Sequence, residues 1–498
     1  MMLRALIFIL TSLMSSLVFA VKPNIVFIFA DDMSYKTAGF MGHEVVKTPN
    51  LDKLANDGVI FERAYNMGAW TGAVCLSSRT MLNSGLSLWR AHDVDKAFSN
   101  NKNKKKTATP TKSEVFNSKQ KAVNDSFWAT RMSDAGYDTY FSGKWHVKSP
   151  THASFVKQGT VRPGMPKQTE QRYQRTFEQK SDSWSPYDKT MGGFWAGGQH
   201  WSEGLADEAI NYLNSKKTSQ QPFFMYVAFN APHDPRQAPK EFVDMYPLKD
   251  INLPESYQTL HPSMAEMSLL SSKNQKIKVL RDEKLGPLPR TKYSTLVNRQ
   301  EYYASISHLD SQIGRILAQL KANKQMDNTV IIFTADHGLA IGEHGLLGKQ
   351  NLYEHSMRAP FFIHGKGVPK GLRRDAAIYL QDAMATSLNI AGANTKDVEF
   401  KSVLPLIDNN KAISYERVYG AYLNSQRAII VNNYKLVLYP KAKSIELYDL
   451  AADPNELHNL AKQARMSALI KRLFKALRHE QEMLADKLDL APIYPELL

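Results

Sequence analysis

A chain of 498 residues, 43% hydrophobic and 22% charged, can bury a sizeable core and is long enough for one large domain with a smaller one beside it. Its single cysteine excludes a disulfide framework within the chain. The 63 Lys and Arg against 48 Asp and Glu leave a formal charge of +15, which favours solubility or polyanionic partners and excludes nothing about the fold.

Arg4 is the only charge ahead of an apolar run at 5–19, and Val18-Phe19-Ala20 offers small residues at both positions of a cleavage site. Residues 1–20 therefore read as a secretory signal peptide, with an exported mature chain, periplasmic or secreted, starting near Val21. The run is short and no second one follows it, so no stable membrane insertion is expected. Loss of Arg4 would leave a charge of +14.

The segment 23–30 is apolar throughout and ends in Asp31-Asp32. Three later runs end in the same manner: 137–142 in Gly143-Lys144-Trp145-His146, 222–229 in Asn230-Ala231-Pro232-His233, and 329–334 in Ala335-Asp336-His337-Gly338. Runs apolar on both faces are typical of central parallel strands. Ligands in open α/β sheets bind beyond the carboxyl ends of the strands, so these ends should meet at one site. Helical spacing appears between the runs, at 206–213 and at Ile306, Leu309, Ile313, Leu317 and Leu320. The alternation predicts a doubly wound α/β domain over 21–407. Residues 100–112 are polar and lysine-rich and read as a solvated loop. The proline-punctuated stretch 247–293 reads as an excursion over the surface. After Ile407 come short strand-like runs at 427–431, 434–439 and 445–450, then helical periodicity over 466–488. Residues 408–498 are accordingly expected to form a small α+β subdomain.

Asp31, Asp32 and Asp336 are hard oxygen donors of the kind Ca²⁺ or Mg²⁺ prefers, although paired acids also cap helices or act as acid/base pairs. His337 suits Mn²⁺ or Zn²⁺ better than Ca²⁺. Arg79, Lys144, His146, His233 and Lys349 together could neutralise a tetrahedral oxyanion and protonate a leaving group. The lone Cys75 follows Gly72-Ala73-Val74 and precedes Arg79 by four positions. Taken alone it could pack, react or be modified.

The motifs Pro23 to Met33 (PNIVFIFADDM), Thr48-Pro49-Asn50-Leu51-Asp52, Gly143-Lys144-Trp145-His146, Ala231-Pro232-His233 and Thr334-Ala335-Asp336-His337-Gly338 occur in a fixed order. Gly348-Lys349 with Tyr353-Glu354, then Glu446-Leu447-Tyr448-Asp449-Leu450 with Asp453-Pro454, complete the set. It covers essentially the whole mature chain and resembles the formylglycine-dependent sulfatases of the alkaline phosphatase superfamily. Asp336-His337, where many members have Asp-Asn, is similar to iduronate sulfatase and bacterial polysaccharide sulfatases. The resemblance implies a large mixed, mostly parallel sheet flanked by helices, with a smaller C-terminal α+β subdomain containing an antiparallel sheet.

It also implies that a maturation enzyme oxidises Cys75 to formylglycine (3-oxoalanine). As a geminal diol, that residue attacks sulfur with one hydroxyl; deprotonation of the second then expels sulfate. By the same resemblance Asp31, Asp32, Asp336 and His337, with modified Cys75, hold Ca²⁺, with Mg²⁺ or Mn²⁺ as alternatives. Arg79, Lys144 and Lys349 would position diol and sulfate, His146 would assist deprotonation, and His233 would protonate the leaving oxygen. One departure is Ser77, where the pattern C-x-P-x-R or C-x-A-x-R has Pro or Ala. A sulfated polysaccharide or its oligosaccharides is the expected substrate, with no nucleic-acid partner. His200 and Trp201, after the glycine-rich run 192–198, and Arg236 are candidate sugar-binding residues. Two alternatives are a phosphodiesterase or phosphonate monoester hydrolase of the same superfamily, and an unmatured sulfoglycan-binding protein.

Overall fold

The computed structural model describes residues 22–99, 123–166, 175, 182–265, 267, 270–273, 276–409 and 411–498. The signal peptide expected at 1–20 and the lysine-rich loop expected at 100–112 lie outside the described residues.

Eight strands build the central sheet: β1 (Asn24–Ala30), β2 (Val59–Phe61), β3 (Asp138–Lys144), β4 (Lys157–Arg162), β5 (Phe223–Ala228), β6 (Thr329–Ala335), β7 (Phe361–Gly365) and β8 (Leu372–Arg374). Their spatial order is β8-β2-β7-β6-β1-β5-β3-β4. β1 lies parallel between β6 and β5, and β3 lies parallel between β5 and β4. β7 runs antiparallel to both β6 and β2. The sheet is thus mixed and mostly parallel. β1, β5 and β6 are buried at every position and hence read as unbroken apolar runs. β4 is a polar, largely exposed edge, which discourages pairing with another chain.

Two groups of helices cover the faces. α1 (Pro49–Asn56) and α4 (Trp201–Ser215) pack on α5 (Lys292–Ala322), while α2 (Val74–Ser84), α3 (Trp128–Asp134) and α6 (Asp382–Ala391) pack on one another. α5 has 31 residues, and the Oγ1 of Thr291 caps it by accepting the Ser294 N–H at 3.1 Å. The apolar stripe seen in the sequence is only its C-terminal half. Ile306, Leu309, Ile313, Ile316 and Leu320 are buried there, and Leu317 is partly exposed. The N-terminal half buries Asn298, Glu301 and Ser305 among Val297, Tyr302 and Tyr303, which breaks its hydrophobic periodicity.

The C-terminal strands β9 (Arg417–Tyr422), β10 (Gln426–Val431), β11 (Tyr434–Tyr439) and β12 (Ser444–Asp449) form an antiparallel meander, and α7 (Ser467–Met483) packs against β9, β10 and β11. A fifth strand comes from far away: Gly68–Ala69 pairs parallel with β9. Gly68 has φ +95°, and a Cβ there would lie 1.9 Å from the Ala421 carbonyl oxygen, so only glycine allows this approach. The segment leading to Cys75 is thereby stitched into the C-terminal sheet.

The stretch 247–293 departs from the expected surface excursion. Ile251, Met264, Met267, Leu285 and Arg290 are buried. Arg290 donates to the carbonyls of Glu283 at 2.8 Å and Gly286 at 2.9 Å and pairs with the Glu283 carboxylate. Polar groups inside the stretch satisfy one another, and this lets its irregular parts be buried.

Candidate active site

The expected strand ends do meet. β1 delivers Asp31 and Asp32, β3 delivers Lys144 and leads to His146, β5 leads to His233, and β6 delivers Asp336 and His337. Asp32 (φ 64°) and His146 (φ 51°) adopt left-handed backbone, a conformation that costs about 1–2 kcal/mol and turns their side chains back towards the site. Cys75 enters from the first turn of α2, where free N–H groups favour an anion.

The ligand atoms of Asp31, Asp32, Cys75, Asp336 and His337 all lie within 4.8 Å of one another, and all five residues are buried. His337 Nε2 is 3.2 Å from Asp32 Oδ1, 3.5 Å from Asp336 Oδ1 and 3.3 Å from Cys75 Sγ. Its Nδ1 is 2.7 Å from the Gly338 carbonyl, which fixes the hydrogen on Nδ1 and leaves Nε2 for the cluster. Cations surround the acids. Lys349 Nζ donates to both Asp32 oxygens at 2.7 Å and to Cys75 Sγ at 3.1 Å. Arg79 Nε donates to Asp336 Oδ2 at 3.0 Å, its Nη1 donates to the Lys144 carbonyl at 2.6 Å, and its Nη2 lies 3.5 Å from Asp31 Oδ1. Lys144 pairs with Asp31.

These groups perturb one another. Burial and the neighbouring Asp336 push Asp31 up, whereas His337 and Arg79 overcome burial and hold Asp336 below the usual carboxylate range. Burial pushes the Cys75 thiol well up despite Lys144 and Lys349. Burial works against the Lys349 charge, but Asp32 outweighs it and raises the ammonium. Burial, then Lys144 and Arg79, take His146 down to about 3. Burial, then Lys349 and Lys144, hold His233 well below the ordinary imidazole range.

Asp31 Oδ1 is buried without a hydrogen-bond partner. An orphaned carboxylate oxygen, two further carboxylates and an oriented imidazole form a donor set that fits a hard divalent cation.

Above Cys75 opens a cavity of ≈ 320 Å³, lined among others by His146, His233 and Lys349. Gly72, Met165, Leu280, Arg281, Asp282 and Gln350 also line it. Sequence reasoning missed Arg281, Asp282 and Gln350; the first two sit in the stretch without periodicity, and nothing in the sequence pairs them with Cys75. Arg79 and Lys144 lie behind the acids, outside the cavity lining.

His200, Trp201 and Arg236 are not among the lining residues. His200 caps α4: its Nδ1 accepts the Ser202 N–H at 3.1 Å, and its Nε2 is 2.9 Å from the Gln237 carbonyl. Trp201 packs against Phe194 with ring centroids 5.3 Å apart. Arg236 is buried, donating to Asn298 Oδ1 at 2.7 Å with its guanidinium 5.4 Å from the Tyr302 ring. His200→Ala is expected to cost about 1 kcal/mol of stability through the lost cap and to leave KM unchanged. Denaturant unfolding and steady-state kinetics on one preparation check this. Ser77, the departure noted two positions after Cys75, is buried within α2 with an unpartnered Oγ.

A sulfatase family model matches residues 23–393, most of the chain. The chain belongs to the sulfatase family. It is a sulfuric ester hydrolase. Residues 342–483 also match a family described as N-sulphoglucosamine sulphohydrolase, C-terminal. This sulfatase is 29% identical to an arylsulfatase of Clostridium perfringens, over 95% of this chain and 98% of that one. It is 26% identical to an N-acetylglucosamine-6-O-sulfatase of Bacteroides thetaiotaomicron, over 93% of this chain and 87% of that one. A solved structure in complex with its substrate D-glucosamine-2-N,6-O-disulfate superposes with TM-score 0.69 at 21% identity, covering 94% and 99% of the two chains. The phosphonate monoester hydrolase of Agrobacterium radiobacter superposes with TM-score 0.66 at 22% identity, covering 95% and 97%. At such identities the structural likeness concerns the fold.

In this sulfatase the late motifs tie the two sheets together. Lys435 of β11 pairs with Glu354 at 3.1 Å and Glu456 at 2.8 Å, and the Glu354 N–H donates to Glu456 Oε2 at 2.7 Å. Glu446 accepts the hydroxyls of Tyr439 at 2.9 Å and Tyr353 at 3.2 Å. Tyr353 and Glu354 lie a few residues beyond Lys349, so the C-terminal sheet braces the segment that carries this lysine.

Proposed function

We propose that this sulfatase removes sulfate from a sulfated polysaccharide or its oligosaccharides, using formylglycine made from Cys75 and a divalent cation, Ca²⁺ in the first instance. The observation that carries this reading is the floor of the cavity. Cys75 Sγ lies there 3.1 Å from Lys349 Nζ and 3.3 Å from His337 Nε2, with His146 and His233 in the walls.

Asp31, Asp32, Asp336 and His337 would hold the cation, whose positive charge draws in a sulfate oxygen and favours an ionised nucleophile. A hydrated aldehyde at residue 75 supplies one oxygen for attack and another through which sulfate can be expelled. Lys349 would steady the nucleophile. Arg79 and Lys144 would keep Asp31 and Asp336 ionised and aimed. His233 would give the proton at Nε2 to the ester oxygen as the S–O bond breaks, and the arriving anion beside it offsets the pull of burial and Lys349. His146, with an unpartnered buried Nδ1, would take the proton that releases the product. A formylglycine-generating enzyme is the implied partner.

The relatives that act on sulfated sugars support a carbohydrate substrate, and the excess of basic residues suits a polyanion. The apolar N-terminal segment supports export to the periplasm or medium, and among the described residues no helix is long and apolar enough to cross a membrane. Residues 21–407 form the catalytic domain in this reading and 408–498 a bracing subdomain.

Peptide mass spectrometry across Cys75, on protein from a host with maturation enzymes, should show CH₂–SH replaced by CHO. An unmodified thiol in an active enzyme overturns the nucleophile. Parallel kinetics on sulfate, phosphate and phosphonate esters should favour sulfate, and a phosphonate preference overturns the substrate class. Dialysis against a chelator is expected to lower turnover at least ~100-fold, with Ca²⁺ restoring it.

A further inference from the structure

Along the cavity mouth runs a belt of polar contacts that the reaction as described does not use. It starts at His233. The ring Nδ1 lies 2.6 Å from the Asp234 carbonyl oxygen and 3.2 Å from Asp234 Oδ1. A carbonyl only accepts, so Nδ1 carries a hydrogen whatever the ring's charge, and Nε2 is the nitrogen turned to the acid cluster, 3.6 Å from Asp32 Oδ2. Asp234 is itself buried, and its Oδ2 accepts Arg281 Nη1 at 2.7 Å. The other arm of Arg281 pairs with Asp282. Asp282 Oδ2 accepts Gln350 Nε2 at 2.7 Å, and the same amide reaches the Gly72 carbonyl at 3.1 Å. Gly72 lies three residues before Cys75, so the belt returns to the segment that carries the nucleophile.

We propose that Asp234 and Arg281 are positioning residues that set His233 Nε2 in register with the leaving oxygen. The inference rests on the reading of His233 as proton donor. Asp234 contributes a carbonyl and a carboxylate on one edge of the ring, and these hold the ring's rotation. Arg281 is a planar fork that grips two buried carboxylates at once, so it fixes the distance between the loop after β5 and the loop that roofs the cavity. Its Nη1 also lies 3.6 Å from Met165 Sδ, on a third side of the cavity. A fixed register matters most where proton transfer is far advanced in the transition state, that is, for alcohols of high pKa. An activated phenolate leaves without such help.

The test is kcat/KM over a series of aryl sulfates with phenols of graded pKa, ending in an unactivated alkyl or sugar sulfate. His233→Ala should steepen the dependence on leaving-group pKa. Asp234→Ala and Arg281→Ala should steepen it in the same sense, with losses about tenfold larger for the sugar sulfate than for 4-nitrophenyl sulfate. Arg281→Lys, which keeps the charge, should recover part of the loss. Equal losses across the series in Asp234→Ala and Arg281→Ala, with His233→Ala still steepened, overturn the positioning role and leave His233 as the acid. A His233→Ala line parallel to wild type overturns both. Arg281 has a third of its side chain exposed, so its variants carry the test if Asp234→Ala unfolds, and thermal melts of each variant accompany the kinetics.

Discussion

Cys75→Ala is expected to remove turnover by about 10⁴–10⁶-fold while the protein still folds. The side chain is small and buried, and the change deletes one sulfur from a cluster held by ion pairs among its neighbours. Stability should therefore fall by no more than about 1–2 kcal/mol, read from chemical denaturation. Cys75→Ser separates two halves of the chemistry. A serine hydroxyl in the same place can attack sulfur with Lys349 beside it, but the resulting ester has no second oxygen on the same carbon through which to expel sulfate. One equivalent of alcohol should be released and the sulfate ester of the introduced serine should accumulate, visible by mass spectrometry of the intact protein. Retention of a tenth of the activity by the alanine variant would sink the nucleophile outright, because no other cysteine exists in the chain to replace it.

Much of this site was legible because its residues terminate strands that are buried on both faces. β1, β5 and β6 announce themselves as apolar runs, and the charged or imidazole groups that follow stand out against them. Where that contrast fails, sequence reading fails with it. β2 and β8 have three residues each, too few for any period, and β8 is Leu-Arg-Arg. The pairing of Gly68–Ala69 with β9 joins segments roughly 350 residues apart through backbone groups alone, and backbone hydrogen bonds leave little trace in side-chain pattern. Asp234 and Arg281 were invisible for a different reason. Their meaning lies in a contact between residues 47 positions apart, and neither spacing nor composition encodes it. His200, Trp201 and Arg236 were attractive as neighbours of a glycine-rich run and of His233. Proximity in sequence did not specify direction: His200 turns onto the backbone of α4, and Arg236 turns under Tyr302.

Arg79→Met is expected to produce two effects of opposite sign. Arg79 is fully buried, binds Asp336 and the Lys144 carbonyl, approaches Asp31, and lies with its guanidinium 4.7 Å from the Phe29 ring centroid. Methionine fills part of the volume but leaves Asp31 and Asp336 facing each other without this cation, so stability should fall by about 3–5 kcal/mol. The same change should tighten divalent-cation binding, because one competing positive charge has gone. Turnover should nevertheless fall about 10²–10³-fold. The reason is a charge balance. Asp31, Asp32 and Asp336 are opposed by Arg79, Lys144 and Lys349, which cancels the fixed charge of the site. A divalent cation then leaves two positive charges, which match one sulfate ester anion and one ionised nucleophile. Without Arg79 a single positive charge remains, and the second anion enters a buried site that no longer neutralises it. Denaturant unfolding, calorimetric Ca²⁺ titration and kcat/KM on one preparation test all three signs. Weaker Ca²⁺ binding by the variant would show that Arg79 organises the carboxylates for the ion and does not compete with it.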